Sequence, residues 1–322
     1  MHIVLVVVDN FQEYILSNIE NLLKFSNNDI TIITNNKFIN RLETFKTCIN
    51  VVAVESLMNS YENDTRNDSN NFWFFTTYRF NVIYHYMKIY NKEHICHIEN
   101  DVLVYRNLDN IQFHSDNKIL LTMDSNTRCI PGIMVIPNNT ILKYCLDNFE
   151  KGLNDMENWG LCYKKFNNLI DTLPIFINDK SSLEKEFITN NFNNYNCIFD
   201  AAAIGQYLGG VDPRNIPGNT VGFVNETCVF DYSKYTFIWK KNVLGLNVPY
   251  IQINNIDIPI INLHIHCKHL NRFINNDHDL FDWQYYLDNN PDLRPNGVLT
   301  QTQAKEHWIR HGQSEGRIYY KH

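Results

Sequence analysis

The sequence predicts an α/β protein, with a mostly parallel central sheet flanked by helices over residues 1–274 and a small C-terminal α-helical module over residues 275–322. Three observations carry this. The first stretch of about 35 residues reads strand, helix, strand, the βαβ unit from which parallel sheets are built. Further strand-length apolar runs follow, interleaved with helical patterns. A composition shift then comes at "NRFINNDHD". Of the 322 residues 44% are hydrophobic, enough to bury a large core, and a prior of about 150 residues per domain leaves room for one large unit and one small one.

Residues 3–8, "IVLVVV", form a continuous apolar run of strand length that ends at Asp9-Asn10. "FQEYILSNIENLLKF" then places Tyr14, Ile15, Ile19, Leu22 and Leu23 at helical spacing. "ITIIT" is a second strand closing on Asn35-Asn36, and "VVAVESL" is another β candidate. From Phe72 to Tyr90 the chain reads as a helix packed on the sheet, with Arg79 its lone cation before Lys88. "EHICHIENDVLVY" reads as one buried strand, and His94, Cys96 and His97 on it read as core. "KILLTMDS" and "PGIMVIP" are two more strands. "YCLDNFEKGLNDMENWGLCYKKF" reads as a helical stretch carrying Asp155 and Glu157. "FDAAAIGQYLGGVDPRN" gives a short helix from Asp200 that stops at Gly209-Gly210. In "IPIINLHIHCKHL", a late strand, Asn262, His264 and His266 alternate and so share a face. The tail reads as two or three short helices, with Thr300 as a cap and Trp308 as a core anchor.

Composition narrows the function classes. A net charge of -7 gives no general attraction to nucleic acid or to an anionic membrane. No run approaches the roughly 20 apolar residues of a membrane span, and the N-terminal apolar run lacks a basic leader and a cleavage site. The 8 cysteines are scattered without a CxxC pair, which suits a reducing, cytoplasmic compartment and makes the sequon Asn63-Asp64-Thr65 incidental. Abundant asparagine reads as a compositional trait of an AT-rich genome.

The chemistry concentrates in two places. A carboxylate near a core is costly unless something positive meets it. Glu99 and Asp101 in "HIENDVL", two apart on an extended chain, project from one face and can share a cation. With His264 or His266 from "HIHCK" they make an oxygen and nitrogen set that suits Mn²⁺ or Mg²⁺ better than a thiolate-loving metal. The bland alternative is a solvated strand end and a pair of ordinary core or surface histidines.

On the N-terminal βαβ, the acid-x-acid (DxD-like) motif in "HIENDVLVY", "PGIMVIP", the "FDAAAIGQYLGG" helix and the closing "HIHCK", residues 1–274 resemble GT-A nucleotide-sugar glycosyltransferases of the kind encoded by giant DNA viruses (mimivirus-like) and some bacteria. The resemblance implies a Rossmann-like GT-A fold and a divalent ion bridging the two donor phosphates. It makes Asp101 and Glu99 metal ligands, His266 or His264 the third, and Lys268 a phosphate contact. It assigns Asp9, Asn10, Arg79 and Asn100 to the donor, Asp200 and Gln206 to the sugar pocket, and Asp155, Glu157 or Asp200 to acceptor activation. The donor it implies is a UDP-sugar and the acceptor a hydroxyl of a glycan or glycoprotein, reached in the host cytoplasm, viral factory or virion for a viral member. The chain departs from the pattern at Glu99, where Asp is usual, and at Ile130-Pro131-Gly132, where Asn-Ser-Gly is frequent. The tail resembles an accessory module appended to such enzymes. Two other readings use the same residues: a metal-dependent nucleotide-sugar phosphohydrolase, and a catalytically silent sugar-nucleotide scaffold.

Overall fold

The computed structural model describes all residues except 59–71, 115–116, 179–188, 213, 217–220, 275–282, 313–314, 316 and 318–322. The sequon at Asn63 and most of the composition shift at 271–279 lie outside the described residues.

The opening βαβ forms as the apolar pattern predicts. Strand β1 (His2–Val7) leads into helix α1 (Tyr14–Lys24) and returns as β2 (Ile30–Thr34), parallel to β1. Next come β3 (Asn50–Ala53), a single helical turn α2 (Val54–Leu57), and the long α3 (Phe72–Ile89). "VVAVESL" is therefore part strand and part helix. Strands β4 (Ile95–Ile98), β6 (Ile119–Met123), β7 (Cys129–Ile136) and β8 (Ile170–Thr172) complete a seven-stranded sheet. Its order is β3-β2-β1-β4-β7-β6-β8, and only β7 runs antiparallel to its neighbours.

Alternation along β1 divides the core between the two faces of the sheet. Val4 and Val6 join one apolar cluster with Phe80, Ile83 and Met87 of α3. Ile3, Leu5 and Val7 join the other with Ile15, Ile19 and Leu22 of α1. Helices thus cover both faces, the architecture expected of a mostly parallel sheet.

The structure corrects four expectations. First, residues 94–105 are not one strand: β4 ends at Ile98, a turn covers Glu99 to Asp101, and β5 (Val102–Val104) pairs in a separate two-stranded sheet. His94, at φ 50°, is exposed rather than core, while Cys96 and His97 are buried. Second, residues 144–166 form two helices, α4 (Asn139–Asp147) and α5 (Asp155–Lys165). The side chain of Asn158 bonds to the backbone of Glu150 and Leu153 and stabilises the break. Third, after the short α6 (Phe192–Tyr195), the helix expected from Asp200 starts only at Ile204, as α7 (Ile204–Gly209). Fourth, the late strand is short. A meander of β9 (Thr236–Lys241), β10 (Asn247–Ile253) and β11 (Ile256–Pro259) precedes it, and β12 (Asn262–His264) pairs antiparallel with β5. His266 therefore lies in the turn beyond the strand instead of sharing its face.

The helical turn α8 (Asn271–Ile274) closes this part of the chain, and α9 (Trp283–Asn289) and α10 (Gln301–His307) follow. Tyr286, Leu287, Leu293 and Ala304 form a small cluster with Trp308 packed against it, and Thr300 caps α10 through the Gln303 N–H. Among the described residues no helix is long and apolar enough to cross a membrane. All eight cysteines are free thiols.

Candidate metal and donor site

The strand order reverses between β1 and β4, and ligands of open α/β sheets gather at the carboxyl ends of strands at such a point. The Glu99–Asp101 turn occupies the carboxyl end of β4. It is closed by the Val102 N–H donating to the Glu99 carbonyl at 3.0 Å. Asn100 ties it to β1, its side-chain amide donating to the Val6 carbonyl at 2.9 Å and to Gln12 Oε1 at 2.7 Å. The Glu99 N–H donates to the Gly132 carbonyl of β7 at 2.9 Å, and the Asp101 carbonyl accepts from Ile265 N–H at 2.8 Å. The two acids converge because the chain turns, not because a pleat aligns them.

This framework brings Glu99, Asp101 and His264 together, with one ligand atom from each lying within 4.8 Å of the others. His264 Nε2 is 3.3 Å from Asp101 Oδ2 and 3.4 Å from Glu99 Oε2. Gly132 makes room: a Cβ there would stand 3.1 Å from His264 Nδ1 and 3.2 Å from Val102 Cγ2. Ions such as Mn²⁺ and Mg²⁺ bond to oxygen and imidazole nitrogen at about 2 Å, which sets neighbouring ligands roughly 3 Å apart. The donor set and its spacing fit such an ion, and Nε2 is the imidazole nitrogen that faces both acids.

Two cations balance the acids. Lys268, in a left-handed conformation at φ 66°, pairs with Asp101. Arg79 of α3 pairs with Glu99 and lies 2.9 Å from Asp155 Oδ2. Burial alone would raise the Asp101 carboxyl, but Lys268 and His264 hold it well below the usual carboxylate range. Glu99 is lowered likewise, with Arg79 and then His264 overcoming its burial. Burial would lower His264, yet Asp101 and Glu99 raise it above its ordinary value. Tyr14 of α1, whose ring lies 5.8 Å from Lys268 Nζ, is pushed up by burial and by the same two carboxylates.

The remaining expected site residues are placed as follows. His266 stands outside the trio: its Nδ1 accepts the Asp212 N–H at 3.4 Å, and burial, with His264 and Lys268, lowers it to about 4. Both oxygens of Asp200 are taken up by backbone. Oδ1 accepts from Ala203 and Ile204 N–H, both at 2.8 Å, and Oδ2 accepts from Gly205 at 2.8 Å and His264 at 2.9 Å. That geometry joins α7 to β12, and Gly205 permits the approach, because a Cβ there would stand 2.1 Å from the His264 carbonyl. Gln206 is buried, with its Oε1 unpaired among the described residues. Asp155 opens α5 against Arg79, and burial raises its carboxyl despite that cation. Glu157 completes a capping box with Asn154. Asp9 and Asn10 are exposed at the end of β1, where Asp9 has φ 70° and its N–H donates to Asn35 Oδ1 at 2.8 Å.

Sequence reasoning missed Tyr14, beside Lys268, and Asn18 of α1, whose side chain bonds to the Glu99–Val102 backbone. Tyr14 read only as one of several apolar positions on α1. Asn18 was hidden in the general abundance of asparagine, although a polar residue between Ile15 and Ile19 on a buried helix face was a visible signal.

No family model and no curated protein matches the chain. Among solved structures it is similar to the PaToxG glycosyltransferase, at 15% identity and a TM-score of 0.35 over 52% of this chain and 70% of that one. It is similar to the glycosyltransferase GlyE of Streptococcus pneumoniae TIGR4, at 13% identity and a TM-score of 0.38, over 53% of this chain and 44% of that one. A third is the galactosyltransferase LgtC, at 12% identity and a TM-score of 0.37, over 59% of this chain and 83% of that one. At these values the likeness is distant, and neither activity nor substrate passes from those proteins to this chain.

Proposed function

We propose that the chain is a metal-dependent glycosyltransferase of the GT-A type, which moves a sugar from a nucleoside-diphosphate donor, a UDP-sugar, to a hydroxyl of a glycan or glycoprotein. The observation that supports this reading is the convergence of Glu99, Asp101 and His264 at the carboxyl end of β4, beside Lys268. In it, residues 1–274 are the catalytic unit and residues 275–322 an accessory module.

Glu99, Asp101 and His264 Nε2 would hold Mn²⁺ or Mg²⁺. When bound, that ion neutralises charge on the leaving diphosphate. The chain's own groups divide the rest of the work. Three carboxylates, Glu99, Asp101 and Asp155, face Arg79, Lys268 and one imidazole. With Asp101 committed to such an ion, Lys268, which pairs with Asp101 here, would present its ammonium to a phosphate oxygen, a preorganised positive charge where negative charge develops. Arg79 remains between Glu99 and Asp155 and orients Glu99, so its part is closer to support than to the donor contact expected from the sequence. Asp200 acts through the His264 backbone as support, since its oxygens are engaged by four N–H groups. Asp155 and Glu157 stand on α5, one paired with Arg79 and one capping the helix.

The test is donor turnover with and without glycan acceptors, in Mn²⁺ and in EDTA. Sugar transfer that needs both metal and acceptor supports the proposal. Equal nucleotide release without acceptor points to a phosphohydrolase, and donor binding without turnover to a scaffold.

A further inference from the structure

We propose that Asn18 of α1 is a positioning residue for the Glu99–Asp101 turn, setting the spacing of its two carboxylates. This rests on reading that turn as a metal site. Asn18 is fully buried, between Ile15, Ile19 and Leu22 of the same helix face. A leucine would satisfy the packing there, whereas a buried amide is costly unless it is bonded. Its two Nδ2 hydrogens are shared among the carbonyls of Glu99 at 3.3 Å, Asn100 at 3.0 Å and Val102 at 3.0 Å, while its Oδ1 has no partner among the described residues. With three acceptors around it, that end of the amide must be the nitrogen.

The need arises from topology. Among the described residues strand β5 pairs with β12 along one edge only, so carbonyls on its other edge require partners from elsewhere. Asn21, one turn further along α1, meets the next of them, donating to the Val104 carbonyl at 2.7 Å. The two asparagines perform the same structural service, but only Asn18 grips the turn that carries both acids. Asn21 is therefore a built-in control.

The experiment compares Asn18→Leu with Asn21→Leu in the full chain. It reads the melting temperature, the Mn²⁺ dissociation constant, and amide hydrogen exchange across residues 99–104 without metal. Groups that orient metal ligands typically contribute on the order of 10–100-fold in affinity. Asn18→Leu is expected to weaken Mn²⁺ binding by that order and to speed exchange at Asp101 and Val102. Asn21→Leu is expected to lower the melting temperature comparably, with Mn²⁺ affinity within about threefold of the parent, below that range. Equal affinity losses in the two variants, or parental affinity and exchange in Asn18→Leu, overturn the proposal. If Asn18→Leu does not fold, Asn18→Ser, too short to span three carbonyls, takes its place. A parent protein that binds no divalent ion overturns the functional reading instead, and the metal-free exchange still decides the role of Asn18.

Discussion

Asp200 Oδ2 accepts the main-chain N–H of His264 at 2.9 Å, while its Oδ1 caps the start of α7. One buried carboxylate thereby fixes both a helix and the imidazole of the candidate metal site. Asp200→Ala leaves four backbone N–H groups without this partner and is expected to cost on the order of 3 kcal/mol. Urea denaturation measures it. A loss below about 0.5 kcal/mol, the range of ordinary surface substitutions, would instead mark Asp200 as free to meet a ligand.

Metal binding should depend on pH through His264. Its folded value is raised above the ordinary 6.5 by Asp101 and Glu99, so the metal-free imidazole keeps its proton to a higher pH than a free histidine does, and the ion must displace that proton. Affinity should therefore fall as pH drops through that raised value, and binding below it should release a proton. Calorimetry in buffers of different ionisation enthalpy reads the proton directly. A heat independent of buffer would contradict this assignment.

The two late histidines should separate cleanly. His264→Ala is expected to lose Mn²⁺ binding by a hundredfold or more, on the order found when metal-site partners are removed. His266→Ala removes an acceptor for the Asp212 N–H and a ring beside His264, but no proposed ligand atom, and should leave Mn²⁺ affinity within about threefold, well under that range. The reverse pattern would place the ligand on the turn rather than on β12.

Much of this arrangement was legible in the sequence, and most of what was missed depends on pairing between distant parts of the chain. Apolar runs of strand length identified β1, β2, β4, β6 and β7, and the long aromatic stretch identified α3, because burial on both faces of a sheet leaves a continuous signal. The same continuity concealed the Glu99–Asp101 turn: "HICHI" and "VLV" are both apolar, and a change of sheet between them leaves no local mark. The choice between His264 and His266 depended on where β12 stops, which is set by pairing with β5 far away in the chain. The partners of Asn18 and Asn21 were likewise unreadable, because their acceptor carbonyls lie about 80 residues away in the chain, although a buried polar position on the α1 face was visible. The half-polar meander β9–β11 gave too weak an alternation to be read.

Acid should weaken the fold through His97. Burial, then Arg79, lowers this imidazole to about 3 from an ordinary 6.5, and its Nδ1–H donates to the Val4 carbonyl at 3.0 Å. Between those values the unfolded chain binds a proton that the folded protein does not. Its contribution is therefore complete above 6.5 and declines as pH falls towards 3. His97→Asn should be less stable at pH 7 but show a shallower decline. Denaturation midpoints from pH 7 to 4 test this, and parallel curves for the two proteins would contradict it.

The central claim is that Glu99, Asp101 and His264 form a metal site for a nucleoside-diphosphate donor. Thermal unfolding of the parent and of Asp101→Ala, with UDP in Mn²⁺ and in EDTA, tests it most directly, because a ligand of the native state raises the melting temperature by mass action. The account predicts a rise with UDP in the parent that EDTA abolishes and that Asp101→Ala lacks while remaining folded. A rise that survives EDTA, or that persists in Asp101→Ala, would contradict it.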